Sequence, residues 1–367
     1  MKIFYLLKKE FLEIFRQREL LFMIIIAPVF QLIIMGYIVT TDIKNVPVGI
    51  IDLSTSRSTE RIINRITGSD LFDVKSISKV NKDTVKELKE GDVNAVILFR
   101  NPLKTGNVMP GYPEIQILMD GVDSNSSRIA AGYFNGIIKN FILDDLDYLG
   151  ISPIIKGKSL IRFNPELRSI NYMGPGIVAL LLTTITLFIT SISLVREKEQ
   201  QTIDTLLISR LRPYEIYLGK ALPMGIVGLI DMGIGVFVAV IWFNIPVRGS
   251  MLTLLLSSGI YLTAMLSYGM LISIFSTSQQ QSLFFSWFSL ITFILLSGLF
   301  TPVENIPGGL KWLVSINPLS YLIKIIREIF LKGNGLGQFY SDLLYLGLIA
   351  VVISAISIFN FKRFISK

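Results

Sequence analysis

VREKEQQTIDTLLISRLRPYEIYLGKALPM, residues 195–224, is charged and polar, and a long apolar run closes on it from each side. Residues 175–195 precede it and residues 222–242 follow it, each close to the ~20 residues a helix needs to cross a bilayer. A short water-exposed segment pinned between two spans cannot bury a core of its own. It can press on a partner and pass that push into the two helices it joins.

The rest of the chain fits this frame. Its 367 residues are 51% hydrophobic and 17% charged, too apolar for one soluble domain and suited to a polytopic membrane protein. The net charge of +8 gathers at span ends, which is the positive-inside bias rather than a surface for nucleic acid. With no Cys and no His, disulfides, thiolate sites, histidine metal sites and serine–histidine triads are all excluded.

Residues 1–19 carry Phe4, Leu7, Phe11, Ile14 and Phe15 at helical spacing, and predict an amphipathic helix lying on the membrane surface. A first span follows at 20–40. Lys8, Lys9, Arg16 and Arg18 before it put the N-terminus in the cytoplasm. Residues 41–172 change character. Strand-like runs at 46–52, 94–99 and 114–119 alternate with helical stripes at 57–67, 81–90 and 126–149, which predicts a compact extracytoplasmic α/β domain. Residues 173–367 carry the remaining spans, at 175–195, 222–242, 252–275, 283–300 and 343–361. Between the last two, residues 301–341 read as an external lid dipping into the outer leaflet. Lys362, Arg363 and Lys367 return the C-terminus to the cytoplasm. The expected fold is an α-helical polytopic membrane protein, a six-helix transmembrane bundle with an α/β domain inserted between its first and second spans.

No G-x-x-x-x-G-K-[ST] loop occurs, since Gly219-Lys220 is followed by Ala221, so the chain does not hydrolyse ATP by that route. Asp144, Asp145 and Asp147 fall on the polar side of a helix and read as a solvated face. Asp231 sits near the middle of the third span, where a carboxylate costs at least ~2.5–3.5 kcal/mol. Two readings stay open for it. One is a polar point in a substrate path, with Thr183 and Thr186 of the second span. The other is structural, an interhelical hydrogen bond with Gln31 of the first span as partner, or a role at a subunit seam. Gly235 and Ala239 follow Asp231 at spacings of four and suit close helix packing.

REKEQQTIDTLLISRLRPYEIYLGKALP, residues 196–223, resembles the signature of type-2 ABC exporter permeases, roughly REKE-x-G-T-x-E-x-L-L followed by P-x-x-x-E-x-x-x-GK. MDGVDSNSSRIAAGY (119–133), FNPELRSINYMGPGI (163–177), SGLFTPVENIP (297–307) and INPLSYLIKIIREIFLKG (316–333) resemble further segments of the same family, so the resemblance covers nearly the whole chain. It implies a half-transporter of the bacterial or archaeal cytoplasmic (inner) membrane that pairs with a second permease copy, as homodimer or heterodimer, among membrane lipids. It also implies a separate ABC ATP-binding subunit holding ATP and Mg, no cofactor on this chain, and a periplasmic adaptor where the cell has an outer membrane. By the resemblance, Glu197, Lys198, Glu199, Thr202, Asp204 and Leu207 form a coupling helix, 196–213, that meets the ATP-binding subunit. Arg212, Pro213, Glu215, Gly219 and Lys220 support it. The expected cargo is an amphiphilic drug-like or lipid-like molecule, with sodium export as the alternative within the family. A membrane sensor and a proton-driven transporter using Asp231 are the alternatives outside it. Gln201 stands where the family has Gly, Asp204 for Glu and Arg210 for a common Pro. Loss of the Gly is expected to extend the helix rather than break it.

Overall fold

The computed structural model describes residues 2–16, 18–38, 46–69, 72–79, 88, 92–100, 114–119, 124–148, 162–164, 168–203, 211–300, 303 and 306–365. The chain runs α1 (Lys2–Arg16), α2 (Arg18–Ile38), β1 (Val46–Asp52), α3 (Arg57–Thr67), β2 (Phe72–Ser78), β3 (Ala95–Arg100), β4 (Glu114–Met119) and α4 (Ser124–Tyr148). It continues through α5 (Ser169–Glu199), α6 (Pro213–Ile241), α7 (Met251–Phe275), α8 (Gln279–Leu295), α9 (Lys311–Ser315), α10 (Pro318–Arg327) and α11 (Tyr340–Ile365). Two compact units result: Met1–Thr40 with Ile161–Lys367, and Thr41–Leu160.

The second unit is a four-stranded sheet of order β2-β1-β3-β4. β1 pairs in parallel with β2 and with β3, while β4 returns antiparallel to β3. Parallel strands need both faces covered, and β1 and β3 read accordingly as continuous apolar runs. Val48, Ile50, Ile97 and Phe99 pack against Ile62, Ile63 and Ile66 of α3 and Phe134 and Phe141 of α4, whereas Ile51, Val96 and Leu98 form a cluster with Val93. Ser56 caps α3 by accepting from the Thr59 N–H, a contact that stabilises a helix start by ~1 kcal/mol. The helix expected at 81–90 lies outside the described residues apart from Leu88.

In the helical unit, α5 is the hub and packs on α2, α6, α7, α8 and α10. It is buried nearly all round, from Ile170 to Glu197, as a helix apolar on every side must be. α5, α6, α7 and α11 are long and apolar enough to cross a membrane. The other two expected spans fall on α2, whose apolar described part is Ile24–Ile38, and on α8, which has 17 residues.

Two expectations of extent are corrected. Tyr172 was expected to close the α/β domain, but it lies inside α5, which starts at Ser169. The part of the expected lid that forms α10 is packed into protein, while Leu310, Trp312 and Ile316 before it stay exposed. Leu319, Leu322, Ile323, Ile325 and Ile326 of α10 are fully buried and join the main core of α5, α6 and α7. Its sequence looked too short and charged to cross, but its apolar face finds other helices before it finds lipid.

One end of this unit gathers α1, the last turn of α5, the first turns of α6, the C-terminus of α7, the N-terminus of α8 and the C-terminus of α11. Leu194, Ile216, Tyr217, Met270 and Phe361 form an apolar cluster of α5, α6, α7 and α11 there, with the Tyr217 and Phe361 rings edge to face at 5.6 Å.

Candidate functional site

The site grows from three consecutive side chains at the end of α5, each of which reaches a different element. Glu197 Oε1 accepts a 2.6 Å hydrogen bond from Lys9 Nζ on α1. Its Oε2 lies 3.0 Å from Lys220 Nζ on α6, an ion-pair contact without hydrogen-bond geometry. Lys220 in turn donates to Glu10 Oε1 on α1 at 2.9 Å. Side-chain exposures of 5% for Glu197, 1% for Lys220 and 3% for Glu10 make this a buried chain of charges. It is balanced only when the half-exposed Lys9 is counted. Removing one member of such a network strands a buried charge, at ~3–5 kcal/mol. Burial raises the Glu10 carboxyl above the ordinary range even though Lys220 pulls it down. Burial lowers Lys9, but its bond and charge contact with Glu197 outweigh this and hold it above the usual lysine range.

Lys198 turns the other way. Its Nζ donates to the carbonyls of Ser273 at 2.8 Å, Ile274 at 2.8 Å and Ser276 at 3.0 Å. These are orphan acceptors at the end of α7, where a cation also meets the negative end of the helix dipole. Glu199 caps the opposite kind of terminus. It accepts from the backbone N–H of Gln279 at 2.8 Å, and from the Gln279 side-chain amide, at the start of α8.

Two serines reinforce the same joint. The Leu194 and Val195 N–H groups each lie 3.1 Å from Ser273 Oγ of α7. Ser282 Oγ of α8 donates to the Ser191 carbonyl at 2.6 Å. Side chains of both neighbours thus enter the backbone ladder of α5 just before its charged end.

The end of α5 has a defined stop. Gln201 N–H bonds to the Lys198 carbonyl at 3.2 Å and Thr202 N–H to the Glu197 carbonyl at 3.0 Å, the two bonds of a Schellman motif. That motif needs a left-handed residue, and Gln201 supplies it at φ 55°. The expectation that losing Gly would extend the helix is therefore overturned. Gln201 adopts the conformation a glycine would take, and α5 ends at Glu199. Glu197, Lys198 and Glu199 belong to the last turn of the span helix and not to a separate segment.

α6 restarts with Glu215 Oε2 accepting from the Arg212 N–H at 2.7 Å, half of a capping box, and with Pro213 at its first position, where the missing N–H costs nothing. Gly219 lets α1 approach, since a Cβ there would stand 2.4 Å from Leu6 Cδ2. The docking face of α1 is Leu6, Glu10 and Ile14, which are buried at spacings of four. The stripe expected to face the membrane is largely outward, with Phe4 65% and Phe15 62% exposed, except for Ile14, which belongs to the docking face. Sequence reasoning missed Glu10 because the aromatic stripe is the more apolar one. The available signal was an acid four residues from Leu6 and from Ile14.

Among the described residues, no group of three or more acidic side chains comes together as a metal site. Residues 18–359 match the family described as ABC-2 family transporter protein. The chain belongs to the ABC-2 transporter family. It is 28% identical to the probable multidrug ABC transporter permease YbhR of Escherichia coli K12 over 370 residues, 99% of this chain and 98% of that one. It is 26% identical to the probable multidrug ABC transporter permease YbhS of the same organism over 333 residues, 89% of this chain and 87% of that one. It is 22% identical to ABC transporter G family member 20 of Dictyostelium discoideum over 338 residues, 90% of this chain and 46% of that one. This ABC-2 chain is thus the multi-pass membrane subunit of an ABC transporter, a role that implies an ATP-binding partner subunit.

The residues expected at that partner divide on inspection. Glu197 and Lys220 are buried inside this ABC-2 subunit, while Lys198 and Glu199 hold its own α7 and α8. Thr202 and Arg212 are exposed, and Glu215 caps α6. Asp204 and Leu207 lie outside the described residues. The intramembrane set divides too. Thr183 Oγ1 bonds to the Ala179 carbonyl at 2.6 Å and to Tyr261 OH at 2.5 Å. Asp231 is fully buried, and among the described residues neither of its oxygens nor Thr186 Oγ1 has a hydrogen-bond partner. The hydrogen bond considered between Asp231 and Gln31 is therefore not made, and Gln31 is half-buried.

Proposed function

We propose that this chain is the permease of an ATP-driven exporter, carrying amphiphilic drug-like or lipid-like molecules out of the cytoplasm. Six spans with both termini cytoplasmic, and a pair of such chains bound to ATP-binding subunits that hold ATP and Mg, complete the reading. The printed names of the two Escherichia coli relatives, both probable multidrug permeases, support the cargo class. The positive residues of α1 and the C-terminal Lys362 and Arg363 support the orientation.

The observation that carries the mechanism is the triple hold at the end of α5. Glu197, Lys198 and Glu199 tie it to α1 and α6, to α7 and to α8. A push on the exposed stretch after Glu199 reaches α5, and these links pass it to the helices around it as one movement. Residues buried in the knot transmit the push, and the exposed Thr202 and Arg212 are the side chains open to the partner.

The test is reconstitution of the full chain in proteoliposomes with a cognate ATP-binding subunit. ATP hydrolysis stimulated by amphiphilic substrate, together with outward transport, is expected. Replacing Glu199 by Ala should leave hydrolysis in place while reducing transport. Failure of the subunit to bind, or transport that ignores ATP and follows the proton gradient, overturns the proposal.

A further inference from the structure

We infer that Asp231 is the binding point for a positively charged group carried into the middle of the helical unit. The carboxyl is wholly buried and both oxygens lack a partner. No Lys, Arg or His occurs in residues 19–38, 169–195, 221–241 or 251–275 of α2, α5, α6 and α7, and the basic Lys9 of α1 and Lys362 and Arg363 of α11, helices that also pack on α6, belong to the end of the unit that holds Lys220. Among the described residues, the spans of α2, α5, α6 and α7 therefore give Asp231 no counter-charge.

The placement of neighbours gives the surroundings of a cation. Asp231 lies on the same face of α6 as Gly228 and Gly235, at spacings of three and four. Gly228 abuts Thr186, whose Oγ1 would stand 2.6 Å from an added Cβ, and Gly235 abuts Leu181 and Leu32. Thr186, on the facing helix α5, has an open hydroxyl. On α2, Ile24 packs at the level of Met224 and Val227, and Leu32 at the level of Gly235. The residue midway between is Pro28, buried within the helix. A proline there leaves the Ile24 carbonyl without its helical donor. An open carboxyl and, about one turn away on the facing helix, an open hydroxyl thus lie in the same apolar interior, with the freed α2 carbonyl near the level of Val227. Unpaired polar groups in an apolar interior are costly, and a cation offsets that cost. Ionisable groups inside membrane helices mark ion or substrate paths.

The positive charge comes as part of an amphiphilic substrate or as a small inorganic cation. The first source rests on the exporter reading above. The experiment uses the full chain alone in nanodiscs, without the ATP-binding subunit, so its failure is separate from failure of that reading. Tetraphenylphosphonium is the probe, and triphenylphosphine oxide is its neutral control. Wild type is expected to bind the cation. Asp231→Asn should weaken that binding by about 30-fold or more, the loss expected when one partner of a buried charge pair is truncated. Asp231→Glu should retain most of the binding, and the neutral control should not respond to either change. Competition by sodium or potassium chloride against choline chloride assigns the site to the inorganic cation, and its absence assigns it to the organic one. Equal binding by wild type and Asp231→Asn overturns the inference. So does a wild type that neither binds tetraphenylphosphonium nor gains thermal stability from sodium or potassium. If Asp231→Asn does not fold, Thr186→Val takes its place. Several-fold weaker binding is then expected, and unchanged binding overturns the inference.

Discussion

Two polar regions of the helical unit solve burial in opposite ways. At the helix ends, Glu10, Lys220, Glu197 and Lys9 form an alternating chain of charges in which every member has an opposite neighbour within 3.0 Å. Eleven residues further along α6 from Lys220, Asp231 is just as buried and has none. The first region is a closed set that fixes the positions of helices, and it is complete as it stands. The second is open. A structural joint needs its charges matched within the chain, whereas a point on a transport path must leave a charge for the cargo to match.

The largest expected effect tests whether the first set is closed. Lys220→Met leaves the buried Glu10 without its cation, while Glu197 keeps Lys9, and should destabilise the full chain by ~3–5 kcal/mol, read by thermal unfolding in nanodiscs. Adding Glu10→Gln should recover part of that loss. A single Lys220→Met chain as stable as wild type would break the distinction between the regions.

Packing gives the next effect. Gly228→Ala places a methyl 2.6 Å from Thr186 Oγ1, and overpacking of this kind should destabilise by ~1–3 kcal/mol. Because Gly228 lies one turn from Asp231, the change should also weaken cation binding, while docking of α1 stays intact by proteolysis.

A smaller gain is expected at the stop of α5. Gln201→Gly relieves a side chain held at φ 55° and should stabilise by about 1 kcal/mol, seen as a higher unfolding midpoint. A loss there would mean that the Gln201 side chain itself matters to the joint.

The smallest effect is a pH dependence. Glu10 has its folded pKa raised by burial, so the folded chain holds that proton at pH values where the unfolded chain has released it. Its contribution to stability is present below the ordinary glutamate value and is lost as pH rises through the raised one. Glu10→Gln should flatten the stability profile over that window.

Much of the fold was legible in sequence. The strands at Val46–Asp52 and Ala95–Arg100 are continuous apolar runs, and the long apolar helices announce themselves by length. The REKE string marked the stretch whose side chains tie α5 to its neighbours. Its wiring was not legible, because the partners of Glu197, Lys198 and Glu199 lie 188, 75 and 80 residues away. Nor could sequence separate the two apolar faces of α1. One packs on protein through Leu6, Glu10 and Ile14 and the other faces outward, and hydropathy points to the more aromatic, outward one.

By itself the sequence determined the class of the protein, since hydrophobic length, charge at span ends and the ordered motifs depend only on local chemistry. The tertiary structure decided which charges are paired. It turned three residues that looked like a docking surface into the clasp of the helical unit, and it left Asp231 alone. Pairing is a property of distance in space, and only the packing of helices far apart in the chain sets that distance.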